Sequence, residues 1–412
     1  MMVAVKKHMI VSGLDVGTTK VCCLIGEIGN DGNLEIIGKG IAPSHGVKKG
    51  VVVDIAETVK SIQLAAQEAE RGAGFKLHSV FVGVTGEHIS SINSHGVITL
   101  AHEPKEVVED DVRRAVEAAK VVSLPAEREV IHVIPRGFTL DGQNGVKNPV
   151  GMLGMRLEVN THIVTGMGTF LHNLTKCVET AGLEIEENGL VLEPLASSLS
   201  VLNEAEKELG ILLIDIGGGT TDLAVFRNRH IFHSSVIPVG GNHVTYDLAV
   251  AFRLSPEEAE RVKVSYGSAV PSQISEEDKI EVTTLSGMKE SISRRQVAET
   301  IAPRMEELFA LIKREIEQLP KDSSLAGVTI TGGTSLLPGI SDVAAEILKF
   351  PVRVGYPQPS TGTLNDAIHN PAYSTGVGLV IYGAKSLQNR RLYRRRETFL
   401  AKAFRSLFRE FF

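Results

Sequence analysis

Hydrophobic and polar positions follow the same order in two segments of the chain, one near its start and one near its middle. The first segment is IVSGLDVGTTKVCCLIGEI from Ile10, and the second is ILLIDIGGGTTDLAVFRNRH from Ile211. In each, an apolar run typical of a buried strand leads to an aspartate, a glycine turn with paired threonines and a second apolar run. Because Asp15 and Asp215 are a domain's length apart, the repeat predicts two related α/β domains. Each domain is expected to open on a strand–turn–strand hairpin.

Apolar residues at helical spacing mark the predicted helices. Residues 54–74 have this spacing and end at Gly74, as helices often do. In residues 255–267, Ser255 is the expected N-cap and Pro256 suits the first turn. Further predicted helices are 103–122 and 293–319. Predicted strands, with turns, are 80–100 and 128–142, and a strand–glycine turn–helix unit is predicted at 327–340.

Length and composition limit the class of protein. With 412 residues, the chain is too long for one ordinary hydrophobic core, so two or more domains are expected. The net charge of -6 gives no reason to expect a nucleic-acid partner. The cysteines Cys22, Cys23 and Cys177 form no disulfide framework or metal motif, and we expect them to be buried in a reducing cytosol. The chain begins without the long apolar core of a signal peptide, and no stretch is apolar for long enough to predict a membrane-spanning helix.

The C-terminal residues differ from the rest of the chain in charge and hydrophobicity. Residues 386–412 contain eight Arg or Lys and two Glu, and five of the last fourteen residues are Phe. On a helix, at about 100° per residue, the apolar side chains cover one broad arc and the basic ones lie opposite. The apolar set is Phe399, Leu400, Phe404, Leu407, Phe408, Phe411 and Phe412. The basic set is Lys402, Arg405 and Arg409, preceded by Arg394, Arg395 and Arg396.

An aromatic face beside a basic face is typical of a helix that lies in the interface of an anionic membrane. A terminal helix docked on the body of the protein and a calmodulin-type target are the alternatives. The segment before it, residues 386–396, would span on the order of 18–20 Å as a flexible linker, which would keep the body close to the bilayer.

The glycine turns of the two repeats are suited to binding phosphate. Glycines expose backbone N–H groups and allow close approach, because no Cβ intervenes. The paired threonines add hydroxyl donors: Thr18, Thr19, Thr220 and Thr221. Asp15 and Asp215, at the strand ends, are candidate ligands of a hydrated Mg²⁺. A third turn, at Gly332 and Gly333, could pack against a base or ribose.

A single Asp-x-Gly-Thr turn is more often an ordinary hairpin than a binding site. Two such turns in repeat register, together with the third turn, favour a nucleotide site instead. The sequence contains no G-x-x-x-x-G-K-[ST] and no G-x-G-x-x-G pattern, so P-loop and Rossmann folds find no support.

These motifs resemble those of a known superfamily. LDVGTTKV and IDIGGGTTDLAV resemble the two phosphate motifs of the actin, sugar-kinase and heat-shock-chaperone ATPases, and TITGGTSLLPG resembles their adenosine motif. LVLEPLASSLSVL and AYSTGVGLVIYG resemble the two connecting segments. Over essentially its whole length the chain resembles the bacterial cell-division family FtsA, through VFVGVTGEHISSINSHG, VIHVIPRGFTLDGQNGVKNPVGMLGMRLEV and PVGGNHVTYDLA.

The resemblance implies an α/β, actin-like, duplicated two-domain fold with a nucleotide cleft between the domains. It also implies a relocated subdomain and a C-terminal amphipathic helix. The first domain is expected at 1–84, 161–205 and 361–385, with the inserted subdomain at 85–160. The second is expected at 206–240 and 301–360, with an upper subdomain at 241–300. A basic linker at 386–396 and a membrane-targeting helix at 397–412 are expected to follow.

The same resemblance assigns residues to an ATP and Mg²⁺ site. The first phosphate loop would be Asp15, Gly17, Thr18, Thr19 and Lys20. The second would be Asp215, Gly217, Gly218, Gly219, Thr220 and Thr221, with a further turn at Gly240 and Gly241. Glu260 and Lys263, three apart on one helix face, would hold the ribose and adenine edge; an ordinary surface ion pair is the alternative. Gly332 and Gly333 would complete the adenosine pocket.

Catalysis, if any, would involve Glu193, Asp15 and Asp215. Glu193 matches the position that orients an attacking water, although a Glu before Pro194 also simply begins a helix. The expected function is an ATP-binding, self-assembling adaptor, at most a slow ATPase, at the cytoplasmic face of the membrane at the division site. Its expected partners are the FtsZ C-terminal peptide, further copies of itself, anionic lipid and later division proteins. A small-molecule kinase and a pilus-assembly adaptor of the same superfamily are the alternatives.

Overall fold

The structure is a computed structural model that describes residues 9–29, 32–319, 325–358, 365–388 and 390. The predicted membrane-targeting helix at 397–412, with all its apolar and basic residues, lies outside the described residues. The same is true of Arg394, Arg395 and Arg396 in the predicted linker.

The first hairpin is the centre of a five-stranded sheet. The strand order is Glu184–Leu192, Ser79–Val84, Met9–Val16, Lys20–Ile28 and Leu34–Pro43. The hairpin strands pair antiparallel, whereas Met9–Val16 pairs parallel with Ser79–Val84. Helices cover both faces of this sheet, which explains why its central strands are almost continuously apolar. Ile55–Ala73 and Gly168–Thr180 lie on one face, and Glu193–Val201 and the helical residues 374–388 on the other.

The second domain repeats this arrangement. Its sheet has the order His230–Ile237, Thr221–Arg227, Ile211–Ile216, Gly327–Thr331 and Val352–Val354. The hairpin turns close in the same way in both domains, since the Gly17 amide donates to the Lys20 carbonyl at 3.1 Å and the Gly217 amide to the Thr220 carbonyl at 2.9 Å. The domain-sized repeat predicted from the sequence is therefore confirmed in three dimensions.

A separate four-stranded sheet forms the inserted part of the first domain. Its order is Gln143–Val146, Arg128–Leu140, Arg156–Met167 and Ser90–Thr99. The helix Glu109–Ala119 packs on this sheet around Phe138, Leu157 and Val159. A short ribbon, Lys105–Glu106 with Leu153–Gly154, lies beside it. The strand Arg156–Met167 runs on from this sheet to the helix Gly168–Thr180 of the first domain.

The remaining elements cover the second domain and the connections. The helices are Glu204–Leu209, Gly241–Phe252, Pro256–Tyr266, Arg294–Glu317, Ile340–Leu348 and Asn365–Ile368. Single turns of 3₁₀ helix are Pro271–Gln273, Gly333–Leu336 and Pro371–Tyr373. Two further ribbons pair Lys279–Thr283 with Lys289–Ser293, and Val47–Lys48 with Val51–Val52. No helix within the described ranges is both long and apolar enough to cross a bilayer.

Most predicted helix ends are confirmed. Asp54 caps the helix Ile55–Ala73, and Gly74 ends it in the left-handed region at φ +71°. Ser255 accepts the Glu258 amide hydrogen bond at 3.2 Å at the start of Pro256–Tyr266. The three cysteines are buried and unpaired, as expected.

The predicted helix at 103–122 is wrong in extent. Only Glu109–Ala119 is helical. The residues Lys105–Glu106 are not part of the helix, because they form a strand that pairs with Leu153–Gly154. This is a tertiary contact that helical spacing does not reveal.

Candidate functional site

A cavity of about 360 Å³ lies between the two domains, and both hairpin turns line it. The lining includes most of the predicted nucleotide residues: Asp15, Gly17, Thr18, Thr19, Lys20, Glu193, Asp215, Gly217, Gly218, Gly219, Thr220, Glu260, Lys263, Gly332 and Gly333. Segments separated by more than three hundred positions in the chain therefore meet in one cleft, as the repeat predicts.

Three predicted residues lie behind the lining. Thr221 is buried, and its hydroxyl donates to the Val239 carbonyl at 2.7 Å. The Gly241 amide donates to the Gly217 carbonyl at 2.9 Å, and a Cβ on Gly240 would come within 2.7 Å of the Gly218 carbonyl oxygen. These residues support the second hairpin turn from outside the cavity.

The tips of the two hairpins face each other closely. A Cβ on Gly219 would lie 2.5 Å from Oγ1 of Thr18, and one on Gly218 would overlap the Thr19 hydroxyl. Only glycine permits this approach, which leaves backbone N–H groups and threonine hydroxyls on both sides of a narrow gap. Such a gap suits a chain of phosphates held from two directions.

Four carboxyl groups are gathered at this end of the cavity. Burial raises the pKa of Asp215 to about 6, with the Asp15 charge adding to the shift and a hydrogen bond from Thr375 opposing it. Burial also raises the pKa of Asp15 and of Asp222. Burial and the neighbouring aspartates raise the pKa of Glu193 well above its usual range. The cluster therefore favours partial protonation until a cation enters.

Lys20 is the cation among these carboxyl groups. Burial alone would lower its pKa, but the charges of Asp15 and Asp215 outweigh that effect and raise it. Its Nζ donates to the Ala372 carbonyl at 2.5 Å, which links the first hairpin to the segment that closes the first domain. Lys20 thus remains charged and fixed in place beside the predicted phosphate path.

Acidic side chains outnumber basic ones in the lining of the cavity. It contains five acidic side chains, Asp15, Glu193, Asp215, Asp222 and Glu260, against two basic ones, Lys20 and Lys263. A polyphosphate placed here needs a further cation to offset this charge. Oxygen donors of this kind fit Mg²⁺, which usually keeps several of its waters. In the ranges that the structure describes, no group of three or more His, Cys, Asp or Glu side chains is placed to hold a metal by itself.

Glu193 is positioned by the backbone around it. It begins the helix Glu193–Val201 directly after the strand Glu184–Leu192, so it does start a helix, and it also lines the cavity. A Cβ on Gly83 would lie 3.1 Å from Cγ of Glu193, so the glycine makes room for its side chain.

The opposite end of the cavity has an apolar wall and an ion pair. Nζ of Lys263 lies 2.7 Å from Oε2 of Glu260, as the helical spacing predicted. Apolar lining residues here are Val244, Val264, Leu336, Leu337 and Pro338. The backbone of Gly332 has φ +85°, which lets this turn pass beside Asp215. A flat base can pack on such a wall while its sugar hydroxyls reach the ion pair.

Sequence reasoning missed several polar lining residues. Thr85, Asp222, Asn242, Thr334 and Thr375 all line the cavity. Asp222 directly follows the quoted GGGTT motif. Its position next to this turn could have identified it as a lining residue. Thr85 follows the parallel strand Ser79–Val84, and ligands gather at the carboxyl ends of parallel strands.

A duplicated α/β fold with a cavity between two facing hairpin turns defines an actin-like protein. Known structures agree with this class at the level of the fold. The PilM-PilN type IV pilus biogenesis complex has a TM-score of 0.67 at 17% identity, covering 91% of this chain and 98% of that one. MreB5 of Spiroplasma citri bound to ADP has a TM-score of 0.55 at 17% identity, covering 93% and 98%.

Sequence comparison gives a narrower result. The family model for the cell division protein FtsA matches residues 212–378, and the model for the SHS2 domain inserted in FtsA matches residues 86–165. Cell division protein FtsA of Pseudomonas aeruginosa is 44% identical over 384 residues, covering 93% of this chain and 91% of that protein. FtsA of Bacillus subtilis is 41% identical, covering 92% and 85%. The chain belongs to the FtsA family of cell division proteins.

Proposed function

We propose that this chain is an ATP-binding, self-assembling adaptor that tethers FtsZ filaments to the cytoplasmic face of the cell membrane during division and recruits later division proteins. The observation that carries the proposal is the cavity between the two facing hairpin turns, in a chain of the FtsA family. Nucleotide would set the assembly state, and assembly would let many weak membrane tails act together.

The donor set of the cavity supports ATP with Mg²⁺ as the ligand. The two turns supply N–H and hydroxyl donors for the phosphates, and the apolar wall with Glu260 and Lys263 suits the adenosine. Asp15 and Asp215 would hold Mg²⁺ through its waters, and the metal would offset the charge of the phosphates. The actin-like neighbour bound to ADP fits the same choice of ligand.

Hydrolysis, where it occurs, would be slow. Glu193 is the one carboxyl group among the predicted catalytic residues that begins a helix facing the phosphate end, and it would orient the attacking water. Its raised pKa favours the protonated form, which cannot accept a proton, until the nearby aspartates are neutralised by the metal. We therefore assign it a water-orienting role rather than rapid proton abstraction.

Membrane binding would come from the tail. Its aromatic and basic faces are read from the sequence alone, and each fully buried large apolar side chain contributes about 1.5–3 kcal/mol before ordering costs. The helical residues 374–388, which come shortly before the tail in the chain, lie on the face of the first sheet away from Ile55–Ala73.

The test is co-sedimentation with anionic vesicles, with and without Mg-ATP, of the full chain and of a chain ending at Gln388. The full chain is expected to pellet, more strongly with Mg-ATP, and the shortened chain to stay in solution. Two matched variants separate the hydrophobic from the electrostatic part of membrane binding. The variant with Phe404, Phe408 and Phe411 changed to Ala keeps the charge, whereas the variant with Arg405 and Arg409 changed to Gln keeps the aromatic face. If the full chain stays in the supernatant with the vesicles present, as the shortened chain is expected to do, membrane tethering would be overturned.

The link to FtsZ has its own test. A peptide with the C-terminal sequence of FtsZ from the same organism is titrated into the chain ending at Gln388, which removes any contribution from the tail. Saturable binding that a scrambled peptide does not reproduce is expected. No binding at high peptide concentration would contradict the adaptor role while leaving the nucleotide site in place.

A further inference from the structure

The loop around Lys49 lies against both hairpin tips. The Gly50 amide donates to Oγ1 of Thr18 at 3.1 Å, so this loop is tied to the first hairpin. A Cβ on Gly219 would lie 3.0 Å from Cα of Lys49, so the same loop also touches the second hairpin. Lys49 is therefore next to the gap in which the phosphates are proposed to lie.

The backbone of Lys49 is in an unusual conformation. Its φ is +49°, in the left-handed region that residues with a side chain rarely adopt. Gly50, with φ +74°, follows it directly. Lys49 and Gly50 are the two central residues of the turn that joins Val47–Lys48 to Val51–Val52, and positive φ at both residues is usual in such a two-residue hairpin turn. The hydrogen bond from Gly50 to Thr18 and the close approach of Gly219 to Lys49 hold this turn against both hairpin tips.

Lys49 also reaches the start of the inserted subdomain. Its Nζ lies 3.4 Å from Oε1 of Glu87, with side chains 41% and 54% exposed. An ion pair this open to solvent is weak and easily exchanged for a stronger partner. Glu87 lies at the beginning of the segment matched by the SHS2 model, residues 86–165. The loop and the subdomain also touch at Gly86, where a Cβ would be 3.3 Å from the Lys49 carbonyl oxygen.

We infer that Lys49 is a binding residue for the terminal phosphate of a nucleoside triphosphate and that it exchanges Glu87 for this phosphate. With a diphosphate the lysine keeps Glu87. With a triphosphate the ammonium turns to the additional phosphate, and Glu87 at the base of the inserted subdomain is released. The shortage of cations in the cavity lining favours this exchange. The inference rests on the proposed binding of ATP and specifies how the chain tells ATP from ADP.

Titration calorimetry with Mg-ATP and with Mg-ADP tests the inference. Lys49→Gln is expected to weaken ATP binding about tenfold and ADP binding less than about twofold. Lys49→Arg is expected to retain the preference for ATP, because the cation remains. Glu87→Gln is expected to strengthen ATP binding, because it removes the competing partner. Lys48→Gln is the matched control, since Lys48 directly precedes Lys49, is exposed and carries the same charge.

The outcomes separate the inference from the proposed function. Equal losses for ATP and ADP in Lys49→Gln, or the same loss in Lys48→Gln, would overturn the role of Lys49 alone. Failure of the unaltered chain to bind either nucleotide would overturn the proposed function and the inference with it. Melting curves without nucleotide check that the variants are folded.

Discussion

Nζ of Lys263 lies 2.7 Å from Oε2 of Glu260, and the same ammonium donates to the Thr245 hydroxyl at 2.9 Å and to the Gly241 carbonyl at 3.2 Å. Lys263 therefore joins the helix Pro256–Tyr266 to the first turn of the neighbouring helix. Its side chain is 12% exposed, whereas that of Glu260 is 39% exposed and faces the cavity. We therefore expect the lysine mainly to hold the wall of the cavity and the glutamate mainly to contact the proposed nucleotide.

Substitutions at these two positions are expected to have different effects. Glu260→Gln should weaken ATP binding about tenfold with little change in melting temperature, because it removes a charged acceptor for the ribose hydroxyls. Lys263→Met should also destabilise the empty protein by about 1–3 kcal/mol, because two buried groups lose their donor. Calorimetry and urea unfolding measure the two effects. Glu257→Gln, on the same helix but outside the cavity lining, is the control.

Gly332→Ala is expected to damage both stability and binding. A Cβ at this position would lie 2.5 Å from Oδ1 of Asp215 and from the Ile216 carbonyl oxygen, on a backbone with φ +85°. We expect a loss of roughly 3 kcal/mol or more in unfolding free energy and no measurable ATP binding. Gly74→Ala measures the cost of the left-handed backbone without a steric clash, because Gly74 has φ +71° and a Cβ there would have nothing within 4 Å. That control should lose only about 1 kcal/mol, and equal losses in the two variants would contradict the assigned clash.

The sequence predicted those parts of the site that follow from local patterns. The hairpins, their glycine turns and the pair Glu260–Lys263 depend on spacing within a few residues, and the structure has them as expected. Thr85 and Thr375 reach the cavity through pairing of distant segments, since they donate to Asp222 and Asp215 at 2.5 Å and 3.1 Å. Contacts of this kind depend on tertiary arrangement, and no periodicity along the chain encodes them.

The affinity for Mg-ATP is expected to rise with pH. The pKa of Asp215 is raised to about 6 in the empty protein, chiefly by burial, and a carboxylate that holds a hydrated Mg²⁺ must be ionised. Binding therefore releases protons, and affinity should increase as the pH rises from about 5 to about 7. Calorimetry in two buffers of different ionisation enthalpy measures the number of protons released. Asp215→Asn should bind more weakly and release fewer protons; an unchanged proton count would show that Asp215 does not titrate on binding.

The stability of the empty protein is expected to change in the opposite direction over the same pH range. Because the folded pKa of Asp215 lies above its usual value of 3.8, the stability associated with its protonated form is complete below about pH 4 and is lost as the pH passes through about 6. Between about pH 5 and about pH 7 this loss amounts to roughly 1 kcal/mol. Many exposed carboxyl groups also titrate, so the measurement is the difference in urea unfolding free energy between the unaltered chain and Asp215→Asn. That difference should shift against the unaltered chain as the pH rises. Mg-ATP should abolish the shift, because the bound metal replaces the proton as the partner of the carboxylate. A difference that stays constant with pH would mean that Asp215 is already ionised in the empty cavity.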